Sequence, residues 1–198
     1  MISIYKLKPK FQQLLSPVLA FLHRCGITAN QITISSIILS LIIGIAFWFS
    51  DRCHLLFLAL PCGLFLRMAL NALDGMMARN YNQQSKKGEV LNELGDIVSD
   101  LFIFLPLIKY ENESLYLVVI FICLSIINEF AGLLGKIVST ERRYDGPMGK
   151  SDRAFVIGLY GLLSYFLIDI SEFSVYIFSL IIILLVVSTS IRVSKSLK

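Results

Sequence analysis

The run NALDGMMARNYNQQSKKGEVLNELGDIVSD, residues 71–100, decides how this chain is read. It is polar and acidic, yet it lies between apolar segments, about Leu55 to Ala72 before it and Leu101 to Ile108 after it. That order predicts two helices, one ending near Arg79 and one starting near Gly88, with their ends facing across a short loop. Asn71 and Asp74 are three residues apart and share a helix face. Glu89, Asn92, Glu93, Asp96 and Asp100 fall in one stripe covering roughly a third of the second helix. Ionisable groups at membrane depth are expensive and mark function by default. A carboxylate and a carboxamide from each of two facing helices form an oxygen-rich cage. Mg²⁺ or Mn²⁺ suits such a cage and completes its shell with substrate phosphate oxygens. Gly75 and Ala78, beside Asp74, let a ligand or another backbone approach closely. The plainer alternative is a set of helix-end charges facing water, and Glu89, near a helix N-terminus, suits it best.

Outside this stretch the chain is mostly apolar. Of 198 residues, 56% are hydrophobic and 16% charged, with mean hydropathy +0.75. Soluble domains carry about a quarter charged residues, so an all-α integral membrane protein is expected. A disordered chain, a collagen-like fibre, a disulfide mini-protein and an ordinary soluble enzyme are excluded. Spans are read at about Ile32–Phe49, Leu55–Ala72, Gly88–Ile108 (fully apolar only from Leu101), Leu115–Leu134, Ala154–Ile168 and Phe173–Ser188. They make six transmembrane helices in one domain, residues 1–198. Residues 1–25 precede them as an N-terminal amphipathic interfacial helix, in which Lys6, Lys8 and Lys10 mix with Ile4, Leu7, Phe11 and Leu14. Most of the 18 lysines and arginines fall on one side, with Arg52 and Lys109 on the other and Arg67 inside a span. Asp51, Glu111, Glu113, Asp169 and Glu172 accompany Arg52 and Lys109. The positive-inside rule then places both termini in the cytoplasm. The net charge of +4 is too small, and too little patterned, for a nucleic-acid partner. Cys25, Cys53, Cys62 and Cys123 form no zinc spacing and read as small apolar residues.

A second polar group lies at residues 141–153, ERRYDGPMGKSDR, with turn signals at Gly146-Pro147 and Gly149. Ser151 or Asp152 is suited to cap the helix that follows. Lys136, Arg153 and Arg192 sit at helix ends on the same side and could form a cationic pocket beside the metal site. Arg67 and Glu129, both inside spans, are expected to pair with each other.

The residues 71–96 resemble the signature of the CDP-alcohol phosphotransferase family, DxxDGxxARx8GxxxDxxxD. The matching positions are Asn71, Asp74, Gly75, Ala78, Arg79, Gly88, Asn92 and Asp96, and the eight residues between Arg79 and Gly88 fit the family spacing. Six spans, an amphipathic N-terminal helix and Asn30 and Thr33 at the start of the first span are also similar to the family. Within it, NALDG and LNELGD most resemble a little-characterised bacterial subgroup, the YnbA-like proteins. The resemblance implies a bacterial inner-membrane enzyme with a cytoplasmic active site. It would transfer a substituted phosphate, most plausibly phosphatidyl from CDP-diacylglycerol, to a hydroxyl acceptor and release CMP, in phospholipid or glycolipid biosynthesis. It further implies one or two Mg²⁺ or Mn²⁺ ions held by Asn71, Asp74, Asn92 and Asp96, with Asp96 as general base. Gly75, Ala78, Arg79, Ser85 and Gly88 would line the CDP moiety. In relatives with phosphorylated acceptors, basic residues at positions such as Lys136, Arg153 and Arg192 bind the acceptor phosphate. A homodimer among membrane lipids is implied as well.

Two positions depart from the signature, Asn71 and Asn92, where the family has aspartate. Each keeps an oxygen ligand and removes a negative charge. Three outcomes stand open: one tightly held ion, replacement of the charge by Glu93 or Asp100, or a degenerate site that binds a CDP-lipid without turnover. A register shifted onto Asp96 and Asp100 breaks the spacing after Arg79.

Overall fold

The computed structural model describes residues 8–111, 114–168 and 171–197. The expected contributions of Ile4, Lys6, Leu7, Glu113 and Asp169, and of the side chains of Lys8 and Glu172, lie outside what it describes. Among the described residues all regular structure is helical: α1 Lys8–Arg24, α2 Ala29–Trp48, α3 Ala59–Asn80, α4 Lys86–Phe104, α5 Leu107–Tyr110, α6 Leu115–Ser139, α7 Lys150–Tyr165 and α8 Ser171–Ser196. A 3-10 turn, His54–Leu58, leads into α3.

Four of these segments are long and apolar enough to cross a membrane: Ala29–Trp48, His54–Asn80, Leu115–Ser139 and Phe173–Ser196. They are apolar outside as well as inside. Ile38, Ile42, Phe65, Ile127, Phe130 and Ile183 point outward, as expected of helices whose surroundings are hydrocarbon. The chain is therefore an integral membrane protein. The α4 helix falls short because it carries the charged stripe, and α7 because it has only 16 residues. Both nevertheless run the depth of the bundle. Tyr165, ending α7, stacks 6.3 Å from His54. Tyr110, ending α5, has its hydroxyl 2.8 Å from Ser50 Oγ, just beyond α2. Lys109 joins the same end, 2.5 Å from Asp51, whose carboxyl it holds below the usual range.

Without water, helices associate through close packing rather than hydrophobic burial. Here small residues set the closest approaches. A Cβ placed on Gly44 of α2 would lie 2.1 Å from the carbonyl oxygen of Phe102 on α4, and one on Gly161 of α7 would lie 2.8 Å from that of Phe57. A core including Ile43, Phe47, Leu60, Phe104, Phe121, Ile157 and Leu185 fills the half of the bundle away from the polar ends. The α1 helix lies against the other half. Its Leu15, Leu19 and Leu22 pack with Leu73, Met76 and Met77 of α3, while Leu14, Val18 and Phe21 face outward. This two-sided face agrees with an interfacial helix.

Candidate active site

The site lies where α2, α3, α4 and α7 meet near their polar ends. The α2 helix starts with a capping box, in which Thr28 and Gln31 satisfy each other's backbone N–H. The α3–α4 connection is tied to it, since Ala29 N donates to Gln83 Oε1 at 2.7 Å. Ser85 caps α4 by accepting from Gly88 N at 3.0 Å. The approach is close there, since a Cβ on Gly88 would lie 2.7 Å from Asn30 Oδ1 and 3.1 Å from Ser85 Oγ. Asn30 and Gly88, widely separated in sequence, therefore belong to one tight junction.

From this junction the side chains of the signature converge. Asp74 is buried, and its Oδ2 accepts from the Thr33 hydroxyl at 3.0 Å. Asn71 Oδ1 accepts from Ser36 Oγ at 2.7 Å, and Asn71 Nδ2 lies 3.4 Å from Asp96 Oδ1. Asp96 also receives the ammonium of Lys150, from the first turn of α7. Asn92 sits half-buried one turn before Asp96. Arg79 is exposed and lies over Gly75, its Nη1 3.2 Å from where a Cβ would stand. Asn71, Asp74 and Asp96 are thus brought together as expected, Gly75 and Arg79 follow Asp74 on α3, and Ser85 and Gly88 hold each other at the start of α4.

One turn deeper lies a second charged group. Arg67 Nη1 binds Asp100 Oδ1 at 2.7 Å. Arg153 Nη2 reaches both Asp100 Oδ2 at 3.0 Å and Glu129 Oε1 at 2.8 Å. Glu129 Oε2 accepts from Arg142 at 2.9 Å, and Arg142 continues to Glu93. Arg67 and Glu129 therefore do not pair with each other, as the sequence suggested. Asp100 and Arg153 stand between them, because four helices and one loop contribute to the cluster. Glu93 and Asp100 are also not delivered to the site as replacement ligands, since arginines hold each of them.

The three basic residues expected to form an acceptor pocket do not share one: Arg153 and Arg192 meet at Glu129, and Lys136 stands apart. Arg153 and Arg192 are almost wholly buried. Arg192 donates to the carbonyls of Asn128 at 2.7 Å and Asp145 at 3.2 Å. Lys136 is exposed and paired with Glu89. The loop of residues 140–149 does close over the cluster, with Arg142 5.0 Å from the Tyr144 ring. Gly149 N donates to Asp152 Oδ2 at 3.0 Å, so Asp152 does cap α7, from its third position.

Sequence reasoning gave no role in the site to Ser36 and Lys150. Thr33, Ser36 and Ser40 are all buried on α2, and their three-to-four spacing was a visible polar stripe inside an apolar run. Lys150 had no such signal.

The family model for CDP-alcohol phosphatidyltransferase matches residues 26–191. The chain belongs to this family. It is 45% identical to the inner membrane protein YnbA of Escherichia coli over 160 residues, 81% of this chain and 79% of YnbA. It is 35% identical to the archaetidylinositol phosphate synthase of Pyrococcus horikoshii over 95 residues, 48% of each protein. The fold is that of phosphatidylinositol phosphate synthase PgsA1 of Mycobacterium tuberculosis. Superposition on its CDP-DAG-bound structure gives a TM-score of 0.77 at 19% identity, covering 93% of this chain and 94% of PgsA1. Its complex with manganese and citrate gives 0.75 over 92% and 88% of the two chains.

The donor set tests whether a divalent ion suits this member of the family. The oxygens of Asp74, Asn71, Asn92 and Asp96 are hard ligands of the kind Mg²⁺ and Mn²⁺ take. Among the described residues, however, no three of His, Cys, Asp and Glu converge on one point. Asp74 and Asp96 are the two carboxylates of the set, and Asn71 and Asn92 supply neutral oxygens.

Proposed function

We propose that this protein transfers a substituted phosphate, the phosphatidyl group of CDP-diacylglycerol, to a hydroxyl acceptor with release of CMP. The observation that carries this reading is the convergence of Asn71, Asp74 and Asp96, at the family's spacing, beside the capped α3–α4 junction. The CDP-DAG in the PgsA1 structure and the name of the Pyrococcus relative support the choice of donor class.

The acceptor oxygen attacks the lipid-side phosphorus, and the bond from that phosphorus to the CMP oxygen breaks. Asp96 takes the acceptor's proton. Asp74, held by Thr33, and Asn71, held by Ser36, would keep a Mg²⁺ or Mn²⁺ ion in place with Asn92. Such an ion would neutralise the pyrophosphate as the leaving group gains charge. Gly75 and Ala78 leave room for the nucleotide, and Arg79 and the Ser85–Gly88 turn border it. In-line transfer needs mainly such positioning and charge neutralisation. Arg153 and Arg192 are occupied by protein oxygens, which favours an acceptor hydroxyl without its own phosphate.

In this reading six helices span the membrane, because α4 with α5, and α7, carry their charges inward onto partners rather than toward lipid. The concentration of lysine and arginine at the site end favours a cytoplasmic active site and cytoplasmic termini. CMP release from CDP-diacylglycerol by the purified protein, with Mg²⁺ or Mn²⁺ and a pool of polar acceptors, tests the reading. Release is expected to require both the metal and Asp96, and to vanish with EDTA or in Asp96→Ala.

The donors crowding Asp96 favour a second reading, a CDP-lipid-binding protein without turnover. It predicts CDP-diacylglycerol binding with no CMP released under any metal.

A further inference from the structure

Lys150 lies where the sequence gave no reason for a cation. Its ammonium is paired with Asp96, and the Asn71 amide reaches the same oxygen at 3.4 Å. The carboxylate read as proton acceptor therefore faces donors from α3 and from α7. The Lys150 side chain is 26% exposed, and its flexible stem ends in a compact charge able to move between partners.

Charge balance gives this pairing a meaning. In the deeper cluster the arginines outnumber the carboxylates by one, since Arg192 lies 3.9 Å from a Glu129 oxygen that Arg153 already holds. At the site proper Asp74 and Asp96 face Lys150, leaving one carboxylate in excess. Apart from Arg79, which is exposed to solvent, the two groups together are neutral. A pyrophosphate diester brings two negative charges, which one divalent ion cancels. A second ion would leave net charge in a region shielded from water, where unbalanced charge is most costly.

We propose that Lys150 is a built-in cation of the active site that takes the place of a second divalent ion. It holds Asp96 while the site is empty. It passes to a phosphate oxygen of the CDP-alcohol when the donor enters, freeing Asp96 for the acceptor's proton. This assignment rests on the transferase reading above for the identity of the donor.

The test counts metal directly. Full-length protein in nanodiscs is titrated with Mn²⁺, with and without CDP-diacylglycerol, and free Mn²⁺ is followed by electron paramagnetic resonance. One Mn²⁺ per chain is expected, with no spin-coupled pair. Lys150→Gln is expected to take a second ion or to bind Mn²⁺ at least about tenfold more tightly, and to raise the KM for CDP-diacylglycerol more than it lowers kcat. Lys150→Arg is expected to keep the wild-type stoichiometry, and it serves if the glutamine variant does not fold. Two ions in the wild type, none at all, or wild-type affinity and stoichiometry in Lys150→Gln would overturn the assignment. If Mn²⁺ binds as expected but CDP-diacylglycerol is neither bound nor cleaved, the transferase reading fails, and Lys150 remains the cation that limits the metal count.

Discussion

Asp96 and Asp100 lie one turn apart on the same face of α4, and the bundle treats them in opposite ways. Asp100 is gripped by Arg67 and Arg153, both almost wholly buried. Asp96 meets a partly exposed lysine and a distant amide. A carboxylate held by two rigid guanidinium groups is a structural strut, because neither partner can leave without stranding a buried charge. A carboxylate held by a mobile ammonium near the surface can exchange partners. In the proposed reading the difference between framework and chemistry rests on what stands opposite each residue, since residue type and helix face are the same.

The comparison can be broken by removing a partner from each layer. The largest effect is expected from Arg153→Met, which leaves Asp100 and Glu129 poorly compensated. About 3–5 kcal/mol of stability should be lost, seen as a large fall in the midpoint of thermal unfolding in detergent. Asp96→Asn should lower CMP release by roughly 10²–10⁴-fold while leaving that midpoint nearly unchanged. If Asp96→Asn destabilised the protein as Arg153→Met does, the division into two layers would be lost.

Smaller changes sharpen the division. Thr33→Val removes the donor to Asp74 and should cost about 1–3 kcal/mol, read as weaker Mn²⁺ binding with the fold intact. Ser85→Ala removes the cap of α4 and should cost about 1 kcal/mol, measured by thermal unfolding. Lys136→Ala should change stability by less than about 0.5 kcal/mol, since exposed ion pairs contribute little. It should also leave the acceptor KM unaltered. A clear rise in that KM would restore Lys136 to an acceptor site.

Much of this was legible in the sequence. The helical spacing of Asn71 and Asp74, and of Asn92 and Asp96, put each pair on one face, and the short polar loop from Tyr81 to Ser85 forced those faces together. The outward apolar residues of α2, α6 and α8 announced a membrane. Pairing between distant segments was not legible. Periodicity tells which face a residue occupies and says nothing of what another helix sets against it. Arg67 and Glu129 looked like natural partners because both were buried charges of opposite sign, yet each found a closer one. Lys150 followed a turn-rich loop whose path no local spacing dictates. The polar stripe of α2 was visible but short of charge, and its role as donor to Asp74 and Asn71 needed the neighbouring helix in place.

Among the described residues the α1 helix shows no hydrogen bond to the site, yet it packs against the helix that carries Asp74. Leu19 and its neighbours pack on Leu73, Met76 and Met77, the residues flanking Asp74 on α3, together with Ala29 and Ile32 of α2. That cover keeps solvent from the back of the carboxylate and so lowers the local dielectric. In the proposed reading an ion held at Asp74 would feel its ligands more strongly than in an open cleft, and α1 would help to set the medium in which it is held.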